Sequence, residues 1–183
     1  MKVVLFGATG MIGQGVLREC ILAPQVKSVL AIGRSASGCG HKKVQDLTVQ
    51  NLDDLSRVEK EIAGYDACFF CLGISSAGLS EAAYRRITYD ITLSAARVLL
   101  KRNPRMTFIY VSGVGTNAAG GSMWARVKGE TENALLALGF KAAFMFRPGY
   151  IQPLHGAKSR TALYRVLYAV MAPLFPLWNR LIP

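Results

Sequence analysis

The sequence is short of acidic side chains, histidine and cysteine. Its 183 residues include 11 aspartates and glutamates against 22 lysines and arginines, with only 2 histidines and 4 cysteines. The resulting net charge of +11 favours polyanionic partners such as phosphorylated cofactors, nucleic acid or an anionic membrane, without choosing among them. Cys39 and His41 lie in a glycine-rich loop without further ligands nearby. We therefore expect no metal site.

We expect no removable leader, and the sequence lacks a long uninterrupted apolar run. An apolar strand pattern follows Met1 directly, which leaves no room for a signal peptide, and we predict a cytoplasmic protein. The apolar stretch 159–183 is interrupted by Arg165, Pro173 and Pro176 before it reaches the roughly 20 residues that a membrane span needs. We expect residues 161–171 to form an amphipathic helix that covers the sheet, docks a partner or lies on a membrane surface.

Apolar residues make up 51% of the chain, which excludes a disordered protein and supplies one sizeable core. We predict a single domain over residues 1–183, with 159–183 as an apolar helical tail. The two cysteines at 68 and 71 lie in an apolar run and point to opposite faces of a strand, so we interpret them as core residues.

Apolar strands and amphipathic helices alternate along the sequence. Strands are predicted at 3–6, 26–32, 42–47, 66–72, 106–112 and 140–147. Helices are predicted at 11–22, 51–62, 80–102 and 122–138. This alternation predicts an α/β fold with a doubly wound parallel sheet.

Three glycines spaced three apart follow the first strand. Gly7 would permit a tight turn, Gly10 would let the backbone approach a pyrophosphate, and Gly13 would let the next helix pack closely. The helix N-terminus favours anionic groups, and Thr9 adds a hydroxyl. A glycine-rich turn without a ligand is the alternative, which the position between a strand and a helix disfavours. We assign to the cofactor the residues Gly7, Thr9, Gly10, Met11, Ile12 and Gly13.

Arg34 follows the second strand, where an NAD enzyme places an acidic residue on the ribose 2′-hydroxyl. A carboxylate would repel a 2′-phosphate, whereas a guanidinium can pair with it and stack on adenine. NADP is therefore the predicted cofactor, with NAD less favoured. The alternative is a solvated surface arginine.

Four linked motifs resemble those of the atypical short-chain dehydrogenase/reductase family. They are Gly-Ala-Thr-Gly-Met-Ile-Gly at 7–13, Tyr-Val-Ser-Gly at 110–113, Val-Lys-Gly-Glu at 127–130 and Phe-Arg-Pro-Gly-Tyr at 146–150. The resemblance covers nearly the whole chain and is strongest to small NAD(P)H-binding proteins of the epimerase/dehydratase-like type that include the Tat-interacting-protein branch. It implies a Rossmann NAD(P)-binding fold. Family members usually continue beyond the point where this chain ends.

The resemblance also implies further cofactor contacts. Asp46 would face the adenine amino group, and Gly73 would allow the backbone to approach the cofactor closely. The turn after the sixth strand would wall the nicotinamide. The remaining cofactor-binding residues implied are Leu47, Cys71, Leu72, Val111, Ser112, Lys128, Pro148, Gly149 and Tyr150.

In the family, a serine polarises a carbonyl and a tyrosine four residues before a lysine transfers the proton. This sequence supplies Ser112 and Lys128 as candidate catalytic residues, but position 124 is Trp124. An indole N–H only donates a hydrogen bond and cannot cycle a proton, unlike a phenol of pKa about 10. Either Tyr84, Tyr89, Tyr150 or water substitutes, or the protein binds the cofactor without reducing a carbonyl.

The sequence thus predicts an NADP(H)-binding oxidoreductase acting on a small carbonyl compound or a nucleotide-sugar-like substrate. The alternative is a non-catalytic NADP(H)-sensing regulator or partner-binding protein. The replacement of the catalytic tyrosine by Trp124 favours this alternative. A nucleic-acid binder rests on charge alone, and we expect none. By family analogy, helices 80–102 and 122–138 are candidates for a dimer interface, and the tail for a peripheral membrane contact.

Overall fold

The computed structural model describes residues 1–149, 151, 152 and 154. Six strands form one sheet in the order β3-β2-β1-β4-β5-β6, and every neighbouring pair is parallel. The strands are β1 Lys2–Phe6, β2 Ser28–Gly33, β3 Val44–Thr48, β4 Ala67–Phe70, β5 Thr107–Val111 and β6 Ala142–Phe146. The strand order reverses direction between β1 and β4. In such sheets ligands bind at the carboxyl ends of the strands at this point.

Helices cover both faces of the sheet, which confirms the predicted doubly wound α/β fold. They are α1 Met11–Leu22, α2 Glu81–Arg85, α3 Ile91–Arg102 and α4 Met123–Ala137. On one face, Val3 and Leu5 of β1 share a buried cluster with α1. On the other face, Val4 and Phe6 share a cluster with α3 and α4. Residues 3–6 are fully buried, as a strand covered on both faces requires.

The predicted helix at 51–62 is wrong. Only a short 3-10 turn, Ser56–Val58, forms there. The side chain of Asn51 accepts the N–H of Asp53 at 3.1 Å, and that of Asp54 accepts the N–H of Ser56 at 2.8 Å. Such local side-chain bonds offer the backbone a turn in place of a helical ladder.

The predicted helix at 80–102 forms over its whole length, but with a π-helical turn, Arg86–Asp90, between α2 and α3. The hydroxyl of Ser80 caps it by accepting the N–H of Ala83 at 3.3 Å. The hydroxyl of Thr92, at the start of α3, donates to the carbonyl of Thr88 in this turn at 2.7 Å. A π turn arises where one extra residue is accommodated in an α-helix.

Two sequence predictions lie outside the described residues. These are the cofactor residue Tyr150 and the apolar tail 159–183. Among the residues that the model describes, no helix is both long and apolar enough to cross a membrane.

Candidate cofactor and active site

The glycine turn after β1 is built so tightly that side chains are excluded. Gly7 has a φ of 78°, and a methyl group placed on it would lie 2.7 Å from the carbonyl carbon of Cys71. The N–H of Gly10 donates to the carbonyl of Gly7 at 2.9 Å. A methyl group on Gly13 would lie only 2.0 Å from that same carbonyl oxygen. The turn therefore needs glycine at two of its three glycine positions, 7 and 13, on steric grounds.

The N-terminus of α1 opens onto this turn without a local anion of its own. Gly10 caps the helix with extended backbone, no side chain caps it, and its first turn holds no acidic residue. The first N–H groups of a helix lack intrahelical partners and favour negative charge. Met11 and Ile12 belong to this first turn. The turn and the helix end thus fit a pyrophosphate.

A cleft of about 280 Å³ extends from the glycine turn to the loop after β2. Its lining residues are Gly7, Ala8, Thr9, Ala31, Ile32, Gly33, Arg34, Ser35, Ser37, Leu52 and Leu72. None of these is acidic, and Arg34 supplies the only charge. Sequence reasoning missed Ser35 and Ser37, although their position just after Arg34 at the end of a strand was the available signal.

Asp46 lies in the middle of β3 rather than at its end, since the strand continues to Thr48. Its carboxylate accepts the N–H of Ser37 at 2.8 Å, which ties the loop after β2 to β3. Leu47 packs against the buried cluster on the α3 and α4 face. The contact of Asp46 with adenine stays a prediction.

The segment after β4 closes the cleft from the other side of β1. The N–H of Cys71 donates to the carbonyl of Phe6 at 3.1 Å, and its side chain packs on the α1 face. Burial raises the pKa of the Cys71 thiol to about 12. Cys68 packs on the opposite face, as predicted for the pair. Leu72 lines the cleft, and Gly73 is exposed.

Ser112, directly after β5, is only 8% exposed and its hydroxyl is already used. It lies 2.9 Å from the hydroxyl of Thr116, which itself donates to the carbonyl of Gly113 at 2.7 Å. When the Thr116 hydroxyl donates to that carbonyl, Ser112 is the donor between the two hydroxyls. In this arrangement the Ser112 proton points to Thr116 rather than to a substrate. Thr116 was missed because nothing in its spacing distinguishes it.

Lys128 projects from α4 to the carboxyl end of β5. Its ammonium lies 3.4 Å from the carbonyl of Val111 and 5.2 Å from the centre of the Tyr110 ring. Burial lowers the pKa of Lys128 to about 8, against the opposing effect of the Glu132 carboxylate. The structure thus brings Val111, Ser112 and Lys128 together, as the motifs predicted.

Glu132 links this region to the turn after β6. It is 2% exposed and accepts from the Nε of Arg147 at 3.0 and 3.1 Å, and from a terminal nitrogen of the same guanidinium. The pair raises the pKa of Arg147. The carbonyl of Pro148 accepts the N–H of Val114 at 3.0 Å. Sequence reasoning missed Glu132, which lies one helical turn after Lys128 on α4.

Trp124 is half-buried in the first turn of α4, one turn before Lys128. A methyl group on Gly115 would lie 3.3 Å from its Cη2, so the indole edge rests on the loop after β5. Tyr84 is 2% exposed in the core, and burial raises its pKa. Tyr89 lies under the Arg85 guanidinium, 4.6 Å from ring centre to Cζ. The buried Tyr84 is therefore not free to replace the missing phenol.

Most of the chain matches a known protein family. The model described as the NAD dependent epimerase/dehydratase family matches residues 3–132. The chain belongs to this family. The predicted relationship to the atypical short-chain dehydrogenase/reductases is confirmed, and the sheet is a Rossmann NAD(P)-binding fold.

Two curated relatives of this chain are named as mitochondrial proteins. One is the protein FMP52-1, mitochondrial, of Scheffersomyces stipitis, which is 28% identical over 153 residues, or 82% of this chain and 67% of its own. Another is the protein FMP52, mitochondrial, of Eremothecium gossypii, 29% identical over 82% of this chain and 66% of its own. The chain thus spans about two thirds of the length of these relatives. Their mitochondrial naming contradicts the predicted cytoplasmic location, which is wrong.

Solved structures share the fold at low identity. A nucleoside-diphosphate-sugar epimerase from Agrobacterium tumefaciens matches with a TM-score of 0.74 and 17% identity over 93% of this chain and 58% of its own. A short chain dehydrogenase from Burkholderia cenocepacia J2315, solved in complex with NADP, matches at 0.67 and 17% identity over 94% of this chain and 83% of its own. Both support the Rossmann architecture and no finer assignment.

Proposed function

We propose that this chain is an NADP(H)-binding oxidoreductase of the epimerase/dehydratase family. The observation that carries the proposal is the cleft beyond the glycine turn. It ends in Arg34, Ser35 and Ser37, and no acidic residue lines it. A guanidinium with adjacent hydroxyls suits a phosphate, whereas a free ribose 2′-hydroxyl is usually held by a carboxylate.

Different residues along the carboxyl edge of the sheet would bind different parts of the cofactor. The turn at Gly7 and the N-terminus of α1 would hold the pyrophosphate, and Arg34 the 2′-phosphate. Lys128 would hold the ribose beside the nicotinamide, with the turn at Pro148 and Gly149 as its wall. When bound in reduced form, the nicotinamide supplies a hydride. The protein must then orient the acceptor and manage its developing negative charge.

A non-catalytic NADP(H)-sensing protein is the second candidate. Two observations favour it: Trp124 stands where the family places a tyrosine, and the Ser112 hydroxyl is buried and bonded to Thr116. Both candidates require the cofactor. They differ in whether any carbonyl compound is reduced.

Arg34→Ala is expected to remove most of a preference for NADPH over NADH. A charge-assisted pair to phosphate contributes about 1.5–3 kcal/mol, so the preference at stake is roughly ten- to a hundredfold in Kd. Isothermal titration with both cofactors measures it. Arg97→Ala, which removes an exposed arginine from α3 away from the cleft, is the matched control. Equal affinities of the unchanged protein for NADPH and NADH would contradict the proposal.

NADPH affinity is expected to fall as the pH rises through about 8. The folded-state pKa of Lys128 is lowered to about 8, so the ammonium that donates to the ribose is present below this pH and lost above it. The 2′-phosphate is already ionised above pH 7. We expect Kd to rise about tenfold between pH 7 and 9.5. In Lys128→Met the affinity should be weaker and flat with pH, whereas Arg34→Ala should keep the pH dependence.

A further inference from the structure

The loops at the carboxyl ends of β4 and β5 carry no charge at all. Residues 71–80 and 112–125 contain no Asp, Glu, Lys or Arg, although 18% of the chain is charged. The turn at Pro148 and Gly149 after β6 is likewise uncharged, and Val114 Cγ1 lies 3.8 Å from a methyl group placed on Gly149. We call residues 71–80, 112–125 and 148–149 the substrate mouth, because they surround the end of the sheet to which Lys128 points.

The mouth presents apolar side chains to solvent. Val114 is 64% exposed, Ile74 39% and Leu79 36%. The half-buried indole of Trp124 adds an aromatic face. A nucleotide-sugar substrate would bring a diphosphate, which proteins hold with arginine, lysine or helix ends. The cations that border the mouth already have partners: Arg126 pairs with Glu81 and donates to the carbonyl of Gly121 at 2.8 Å, and Arg147 pairs with Glu132. Lys128 is assigned to the cofactor ribose. The uncharged residues of the mouth itself therefore suit a neutral, apolar ligand.

The proton donors available in the site further restrict which carbonyl compounds it can reduce. Reduction of a saturated ketone gives an alkoxide about as basic as hydroxide, so this reaction needs a proton donor in the site. Reduction of a quinone gives a phenolate-type anion, whose conjugate acid has a pKa of about 10, as in tyrosine. Such an anion takes its proton from water. Ser112 is bonded to Thr116, and the indole of Trp124 is no proton-transfer group at neutral pH. The site therefore suits quinone reduction better than reduction of a saturated ketone.

We propose that the substrate mouth binds a neutral, planar, conjugated dicarbonyl compound of the quinone class, stacked beside Trp124 and Val114. This names the substrate class of the proposed oxidoreductase and rests on that function. The reaction balances without a protein acid: quinone, NADPH and one proton from water give hydroquinone and NADP⁺. Two electrons and one hydrogen pass from the nicotinamide C4–H bond to the quinone, and the second hydroxyl proton comes from solvent.

The first test measures binding without turnover. The full chain, saturated with NADP⁺, is titrated calorimetrically with tetramethyl-1,4-benzoquinone, which has no free ring position for addition of a cysteine thiol. We expect saturable binding. Val114→Asp should weaken it about tenfold or more, because a carboxylate would face the apolar ligand. Leu136→Asp, at a 55% exposed leucine on α4 outside the mouth, should leave it unchanged. Leu79→Asp repeats the test if Val114→Asp does not fold.

The second test compares acceptors. NADPH oxidation should be at least about 10²-fold faster with this quinone than with cyclohexanone, which needs the missing acid. UDP-glucose should neither bind nor react. Failure of NADP⁺ to bind would overturn both proposals. Binding of NADP⁺ without the quinone, equal effects of Val114→Asp and Leu136→Asp, or faster turnover of cyclohexanone would overturn this one alone.

Discussion

Trp124→Tyr is expected to raise the reduction of a saturated ketone by NADPH by about 10²-fold, the lower end of what general acid catalysis contributes. Position 124 lies one turn before Lys128 on α4, so a phenol there would share a face with the ammonium. The nearby positive charge lowers the phenol pKa and makes it a better acid. Steady-state turnover with ketones, aldehydes and quinones measures the effect.

Trp124→Phe is the matched control, because it removes the indole without supplying a hydroxyl. It should leave ketone reduction slow. Turnover of the quinone should change less than that of the ketone in Trp124→Tyr, so their ratio should fall about tenfold or more. Fast ketone reduction by the unchanged protein that collapses in Trp124→Tyr would show that Trp124 shapes a working site with another proton source.

Gly13→Ala is expected to destabilise the fold by about 3 kcal/mol, the upper end of typical overpacking costs. The added methyl group would lie 2.0 Å from the Gly7 carbonyl oxygen and 2.6 Å from its carbon. Both are backbone atoms of the turn beneath α1, so neither can swing aside. Thermal unfolding should show a fall in Tm of roughly 6–12 °C. NADPH binding should be lost with the turn geometry.

Gly15→Ala provides the control on the same helix. A methyl group on Gly15 meets nothing within 4 Å, so alanine should stabilise α1 by about 0.5–1 kcal/mol through its higher helix propensity. Opposite signs for the two variants would separate the steric effect from propensity. If both variants raised Tm, the close packing of α1 on the turn would be refuted.

Local patterns were sufficient to predict most of the fold. Helix α1 has the predicted limits, 11–22, because its apolar spacing and the proline at 24 act within the segment itself. Strand β1 was predicted from four consecutive apolar β-forming residues, 3–6, and all four are buried. Strand ends differed by up to two residues, as for β3, since pairing with β2 sets them and the sequence does not show the register.

The segment 51–62 shows where local pattern fails. Leu52, Leu55 and Ile62 are buried, so the apolar spacing suggested one helix face. The same side chains reach the core from an irregular segment, because Asn51 and Asp54 bond to the backbone two residues on. Apolar spacing reports which residues are buried, and competing polar side chains decide the backbone that buries them.

Some features of the candidate site could likewise be predicted from local sequence, and others could not. The glycine turn and Arg34 are contiguous motifs, and the structure places both at one cleft. The commitment of Ser112 to Thr116 and the pairing of Glu132 with Arg147 depend on side chains that the fold brings together. Motifs indicated the glycine turn, Arg34, Ser112 and Lys128, but not Ser35, Ser37, Thr116 or Glu132. Only the three-dimensional structure showed which polar side chains of the site are already hydrogen-bonded to each other.

The π-helical turn at Arg86–Asp90 bears on how relatives of different length should be aligned. It stores one residue more than an α-helix would, between α2 and α3. Loss of a single residue there would restore plain α-helix while Tyr84 on one side and Leu93 on the other stay in the core. Evolution can thus add or remove one codon at this place without rotating either flanking helix. A one-residue gap between relatives at 86–90 is therefore a conservative change of structure.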